Sequence, residues 1–276
     1  GGITLIKVDK PNMAQKGTIS VEKTGEVFFG VNVFGEKDKD VIYQPVYTVK
    51  GLAGAVYEIT ADEDIITPDG TLRYHKGDVV DTVTTDDEGF AKSKELYLGK
   101  YTVVEIKAPN GMVINNEKHS VELTYAGQDV AVTETVTSFY NERQKVKISL
   151  EKVLEQNDIF GIGKNDEIKN ISFGLYAKED IVSSSGTVIP ADGLIEIITL
   201  DENGTAIANT DLPFGSYYIK EIATDEHYIL SATQYPFTFE YAGQDTETVE
   251  IKVNDGKPIE NKLIYGSVSG KKIDEN

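Results

Sequence analysis

The chain has 276 residues, a formal net charge of −19, no cysteine and no tryptophan. Without cysteine there is no disulfide framework, thiolate metal site or cysteine nucleophile. An acidic chain with no cluster of Lys and Arg does not suit a phosphate backbone, so a nucleic-acid partner is excluded.

The length allows two domains with adequate cores. No apolar run approaches the roughly 20 residues needed to span a bilayer, so no membrane insertion is expected of this stretch. "GGITLIKVDK" at the N-terminus lacks the pattern of a signal peptide and reads as a cut from a longer chain, with targeting and anchoring regions outside it. Short strands then follow in order: "GTISVEK", "GAVYEIT", "YTVVEI", "HSVELTY", "VKISLEK", "SFGLYA", "LIEIITL", "YYIKEI", "FTFEYA" and "TVEIKV". They are rich in Val, Ile, Tyr, Phe and Thr, and turn formers such as "PDG", "DDEG" and "DENG" separate them. No stretch sustains a helical period, so the expectation is an all-β sandwich or a partly open barrel.

Internal repetition is the stronger signal. "TDDEGFAKSKELYLGKYTVVE" in the first half corresponds to "LDENGTAIANTDLPFGSYYIKE" in the second, and "TYAGQD" and "EYAGQD" follow at the same distance. A second spacing sets the boundaries: Asn12 precedes Lys23 by eleven residues, Asn141 precedes Lys152 by eleven, and Asn261 precedes Lys272 by eleven. Each Asn is read as lying on the last strand of one domain and each Lys on the first strand of the next. The prediction is two full domains, 17–142 and 146–262. Residues 1–16 end a preceding domain or linker, and 263–276 lead into a following one. The first domain carries a long interval near 25–51, expected to add strands or a projecting loop. Short polar junctions favour a semi-rigid rod.

Alternation makes six polar residues conspicuous. Tyr101, Val103 and Glu105 share one face of an extended chain, as do Tyr217, Ile219 and Glu221. Lys23 follows Ile19 and Val21, and Lys152 follows Ile148 and Leu150; Asn141 shares a face with Phe139, and Asn261 with Ile259. Desolvation lowers the pKa of a buried lysine and raises that of a buried carboxyl. A neutral amine is a nucleophile, and a protonated glutamate can polarise a carboxamide and relay protons. Attack on the Asn side-chain carbon would expel ammonia and leave a Lys–Asn isopeptide bond. Effective molarities on the order of 10⁵ to 10⁸ M for well-oriented groups bring so slow an aminolysis within reach. The plainer alternatives are an edge-strand lysine whose head reaches water and a structural ion pair. The repetition of Lys, Glu and Asn at one spacing argues for the bond.

"GKYTVVEIKAPNG" resembles the signature of the collagen-adhesin B-type (Cna_B), or SpaA-like, domains of Gram-positive pilins and surface adhesins: a Gly-x-Tyr strand with a catalytic glutamate, then Ala-Pro-x-Gly. Both repeats match over nearly the whole chain, although the second has "EIATDEHY" in place of the Ala-Pro turn. The resemblance implies tandem β-sandwich domains of inverse immunoglobulin-like topology, each closed by a Lys–Asn bond between first and last strands. It assigns crosslinks to Lys23 with Asn141 and to Lys152 with Asn261, assisted by the catalytic glutamates Glu105 and Glu221. Asn254 is a rival acceptor that misses the eleven-residue spacing.

Other chemistry is poorly supported. His75, His119 and His227 are scattered singly, and the acidic turns lack EF-hand spacing. "GIGK" lacks the full P-loop frame, and no Ser-His-Asp set is offered. No cofactor and no metal are expected, and the chain is read as a stalk and not as an enzyme, because bond formation is a single turnover. Implied partners are neighbouring domains of the same longer chain, pilus subunits or a host surface ligand. The expected location is extracellular and wall-anchored through regions outside the fragment. The alternative is a host-ligand-binding module using the insertion's Phe28, Phe29, Phe34, Tyr43 and Tyr47.

Overall fold

A computed structural model describes residues 13–35 and 41–266; Asn12 and Lys272 lie outside the described residues. The chain divides into two compact units. The first comprises residues up to Glu26, Val49–Arg143 and Gly243–Asp245, and the second Val27–Thr48, Gln144–Ala242 and the chain from Thr246. The strands from the N-terminus to Asn141 are β1 (Lys16–Phe34), β2 (Ile42–Gly51), β3 (Val56–Ala61), β4 (Ile65–Ile66), β5 (Leu72–Tyr74), β6 (Val79–Thr84), β7 (Phe90–Lys92), β8 (Leu96–Tyr97), β9 (Gly99–Lys107), β10 (Lys118–Leu123) and β11 (Val132–Asn141). Those that follow are β12 (Lys145–Leu154), β13 (Ser172–Ala177), β14 (Ile181–Val182), β15 (Val188–Ile189), β16 (Leu194–Thr199), β17 (Thr205–Ile207), β18 (Gly215–Ala223), β19 (Gln234–Phe239), β20 (Thr248–Lys252) and β21 (Ile259–Asn261).

In the first unit, β10, β9, β3 and β6 form an antiparallel sheet in that order. The N-terminal part of β1 pairs in parallel with β11 and antiparallel with β7 and β8. The period-2 alternation sends Ile19, Val21, Tyr57, Ile59, Tyr101, Val103 and Phe139 into one core. In the second unit, β16, β13, β18 and β19 are consecutive neighbours, and β12 pairs antiparallel with β17 and in parallel with β20 and β21. Its core gathers Ile148, Leu150, Phe173, Leu175, Tyr217, Ile219, Phe239 and Ile259. The fold is all-β as expected, with first and last strands side by side in both units.

The last strand of the second unit is broken by a tight turn at Val253–Gly256, where Asn254 and Asp255 adopt left-handed φ of 58° and 54°. Asn254 spends its side-chain amide on the Lys257 carbonyl at 3.1 Å. It is a turn residue, which accounts for its failing the spacing.

The insertion needs a correction. Sequence reading gives it to the first domain, but Val27–Thr48 belongs to the second unit. The physical reason is apolar: Phe28, Val31 and Tyr43 pack against the second core, and Phe28 meets Tyr47 with ring centroids 6.0 Å apart. Hydrogen bonds seal the contact. The amides of Ser184 and Ser185 donate to the carbonyls of Phe28 and Phe29, each at 3.0 Å, and the Tyr47 hydroxyl donates to the Asp211 carbonyl at 2.9 Å. Phe28→Ala is therefore expected to destabilise the second unit by about 2 kcal/mol while sparing the first. Hydrogen exchange resolved by unit would check this, with faster exchange confined to β13, β16 and β18.

Candidate functional site

Each lysine is seated by a turn. In "DDEG", Asp86 Oδ1 accepts from the amides of Glu88 and Phe90 at 3.0 and 2.9 Å; in "DENG", Asp201 Oδ1 accepts from Asn203 and Thr205 at 2.9 and 2.8 Å. The turns present Gly89 and Gly204, whose carbonyls accept the amides of Lys23 and Lys152, each at 2.7 Å. Both glycines have positive φ, 86° and 78°, and a Cβ would come within 2.3 Å of the Lys23 carbonyl oxygen and 2.2 Å of that of Lys152. Only glycine fits there. The glutamate strands are pinned at their starts by the Gly-x-Tyr tyrosines. Tyr101 donates its hydroxyl to the Tyr97 carbonyl, and Tyr217 donates to that of Pro213 at 2.5 Å.

With both strands fixed, alternation brings the six residues together as two triads, all between 1 and 3 % exposed. In the first unit, Lys23 Nζ lies 3.2 Å from Glu105 Oε1, and Asn141 Nδ2 donates to Glu105 Oε2 at 2.8 Å and to the Val113 carbonyl at 2.5 Å. In the second, Lys152 Nζ donates to Asn261 Oδ1 at 2.5 Å and stands 3.7 Å from Glu221 Oε1. Asn261 Nδ2 donates to Glu221 Oε1 at 2.6 Å and to Thr224 Oγ1 at 3.0 Å. Burial pushes both lysines below their ordinary pKa, against the opposing pull of Glu105 and of Glu221.

The arrangement is suited to amide exchange. In the second unit the amine touches the carboxamide and the nitrogen that would leave faces the carboxylate. A half-turn of the carboxamide exchanges these roles, placing Oδ1 on the glutamate.

Sequence reasoning missed the loop that orients each glutamate. The amide of Asn115 donates to Glu105 Oε2 at 2.7 Å and that of Ser231 to Glu221 Oε2 at 3.0 Å, each from ten residues downstream. Both donors are backbone amides on different residue types, so no residue pattern in the repeat marks them. Both loops turn alike, through Met112 N to Pro109 O and Tyr228 N to Asp225 O, so the second unit keeps the turn without the Ala-Pro sequence. Among the described residues no group of three or more acidic or histidine side chains is placed to hold a metal ion, and no helix is long and apolar enough to cross a membrane.

The chain's similarities define a class: tandem all-β domains of the kind found in Gram-positive pilins and surface proteins. The chain belongs to the SpaA family of prealbumin-like fold domains, whose model matches residues 45–137 and 160–257. It is 28% identical over 139 residues to the trypsin-resistant surface T6 protein of Streptococcus pyogenes serotype M6, covering 49% of this chain and 24% of that protein. The chain thus spans about a quarter of that relative's length. Among solved structures it is similar to the TIE protein of Bacillus anthracis, with TM-score 0.53 and 21% identity over 91% of this chain and 34% of the other. The minor pilin GBS52 of Streptococcus agalactiae aligns with TM-score 0.31 and 17% identity, over 93% of this chain and all of that one.

Because burial holds Lys23 below its ordinary value of 10.5, the unfolded chain binds more protons than the folded one just beneath that pH, and stability rises with pH there. In an Asn141→Ala chain, where Lys23 stays a free amine, the urea midpoint of the first unit is expected to climb as pH is raised toward 10.5. A Lys23→Met, Asn141→Ala chain is expected to lack that rise.

Proposed function

We propose that this chain is a structural stalk segment of a Gram-positive cell-surface adhesin or pilin, each unit closed by an autocatalytic Lys–Asn isopeptide bond that its buried glutamate assists. The observation that carries the reading is the Lys152–Asn261–Glu221 cluster, with amine and carboxamide already in contact and the carboxylate on the amide nitrogen. The first triad supports it with the same three residue types on the corresponding strands of its own unit, β1, β9 and β11.

The step balances without any outside reagent. The proton on Lys152 Nζ passes to Glu221, the free amine attacks Asn261 Cγ, and the Cγ–Nδ2 bond breaks. Glutamate gives that proton to the departing nitrogen and takes the second proton from the attacking one, so ammonia leaves, the carboxyl ends protonated, and one C–N bond has replaced another. Lys23, Glu105 and Asn141 act likewise. Nothing turns over, so the chain is not an enzyme. It works outside the cell, anchored to the wall through other regions of a longer chain, with further domains or pilus subunits as partners.

A closure across roughly 100 residues contributes about 4.7 kcal/mol by the chain-entropy model for disulfides, and an amide of similar span should give a similar gain. Unlike a disulfide, it resists reduction. It also carries tension between the first and last strands without extending what lies between them.

Intact mass tests the reading. The unaltered chain is expected to fall short of its sequence mass by two ammonias, and Glu105→Ala and Glu221→Ala each to recover one. Trypsin is expected to spare the unaltered chain and to cut each variant within its open unit; full sequence mass in the unaltered chain would overturn the proposal.

A further inference from the structure

The two triads differ at one neighbouring residue. Tyr57 stands opposite Glu105 in the β3/β9 register, and Phe173 stands opposite Glu221 in β13/β18. Both rings are fully buried, and each lysine Nζ lies 5.7 Å from the ring centroid. Only Tyr57 adds a hydroxyl.

The polar atoms around that hydroxyl are arranged differently in the two units. In the first, Asn115 N and Asn141 Nδ2 both donate to Glu105 Oε2, leaving Oε1 to Lys23 and Tyr57. The Tyr57 hydroxyl, Glu105 Oε1, Lys23 Nζ and Asn141 Oδ1 are all buried, and none makes a well-angled hydrogen bond. In the second unit the duties are divided: Ser231 N takes Glu221 Oε2 and Asn261 Nδ2 takes Oε1, while Lys152 donates to Asn261 Oδ1. The first lysine leans toward its glutamate, 3.2 Å against 3.7 Å, and the second toward its asparagine. Glu105 is the side-chain neighbour of the Tyr57 hydroxyl, and a buried donor and acceptor side by side gain by pairing.

We propose that Tyr57 is a positioning residue for crosslink formation: its hydroxyl donates to Glu105 Oε1, holds lysine and glutamate in their ion-paired form, and makes the first unit close more slowly than the second. The inference rests on the isopeptide reading above. Attack needs a free amine, so the Lys23 proton must move to Glu105, and a donor on Oε1 stabilises the carboxylate against that transfer. Burial, reinforced by the Glu105 charge, raises the Tyr57 pKa, so the phenol keeps its proton. The groups that face this cluster are Lys23 from β1, Glu105 from β9, Asn141 from β11, Glu117, whose charge acts on Lys23 from before β10, and His119 of β10, which lies 3.4 Å from Glu117 and stacks on Phe139.

The test follows ammonia loss in freshly translated full-length chains across a pH series, with crosslinked-peptide mapping to assign each bond. Tyr57→Phe is expected to speed closure of the first unit about tenfold, the loss of one hydrogen bond to a charged group, and to move the acid-side inflection of its rate to higher pH. Phe173→Tyr is expected to slow the second unit and move its inflection to lower pH. A merely structural role would alter rate or folding without moving either inflection, so unmoved inflections, or a slower Tyr57→Phe chain, would overturn the proposal. If the unaltered chain loses no ammonia in either unit, the crosslink reading itself fails; if both bonds form and only these shifts are absent, the role of Tyr57 alone fails.

Discussion

Taking a lysine and a carboxylate out of water together is the constraint on which each unit is built. Removing either partner from such a pair leaves an uncompensated charge worth about 3–5 kcal/mol of destabilisation. The chain surrounds Lys23 and Glu105, and Lys152 and Glu221, with fixed geometry: a glycine turn against the lysine backbone, a tyrosine anchor below the glutamate, and a loop amide on its far oxygen. The aromatic walls, Tyr57 with Phe139 and Phe173 in the second unit, exclude water and accept the ammonium over their faces.

Much of this was legible in sequence because strands alternate. One register places Tyr101, Val103 and Glu105 inside together, and the repeat fixed which Lys and which Asn lie nearby. The loop donors Asn115 and Ser231 were not found, since they act through backbone amides and carry no residue signature. The ownership of the insertion was also hidden. Phe28, Val31 and Tyr43 read as apolar strand residues in any setting, and local pattern does not say which core receives them.

The internal repeat shows which parts of the frame tolerate change. "DDEG" and "DENG" preserve the aspartate and glycine that make the turn, and the residues between them are free to differ. The loop after the glutamate has lost Pro and Gly in the second unit, yet still returns an amide to the carboxylate from the same position. Backbone direction is what the site requires there. Where the site meets a side chain directly, as at Tyr57 and Phe173, the two units differ by a single oxygen atom.

The insertion also sets an order of assembly. Val31 and its partner Thr187 are 156 residues apart, so the apolar side of Val27–Thr48 leaves the ribosome long before the strands that will cover it exist. The whole of Val49–Arg143 is synthesised in between. Contacts of such sequence separation form late, after the entropy of a large loop has been overcome. During that interval Phe28 and Val31 form an uncovered apolar strip on a nascent chain, and the second unit can complete its core only by recruiting a segment made at the start of synthesis.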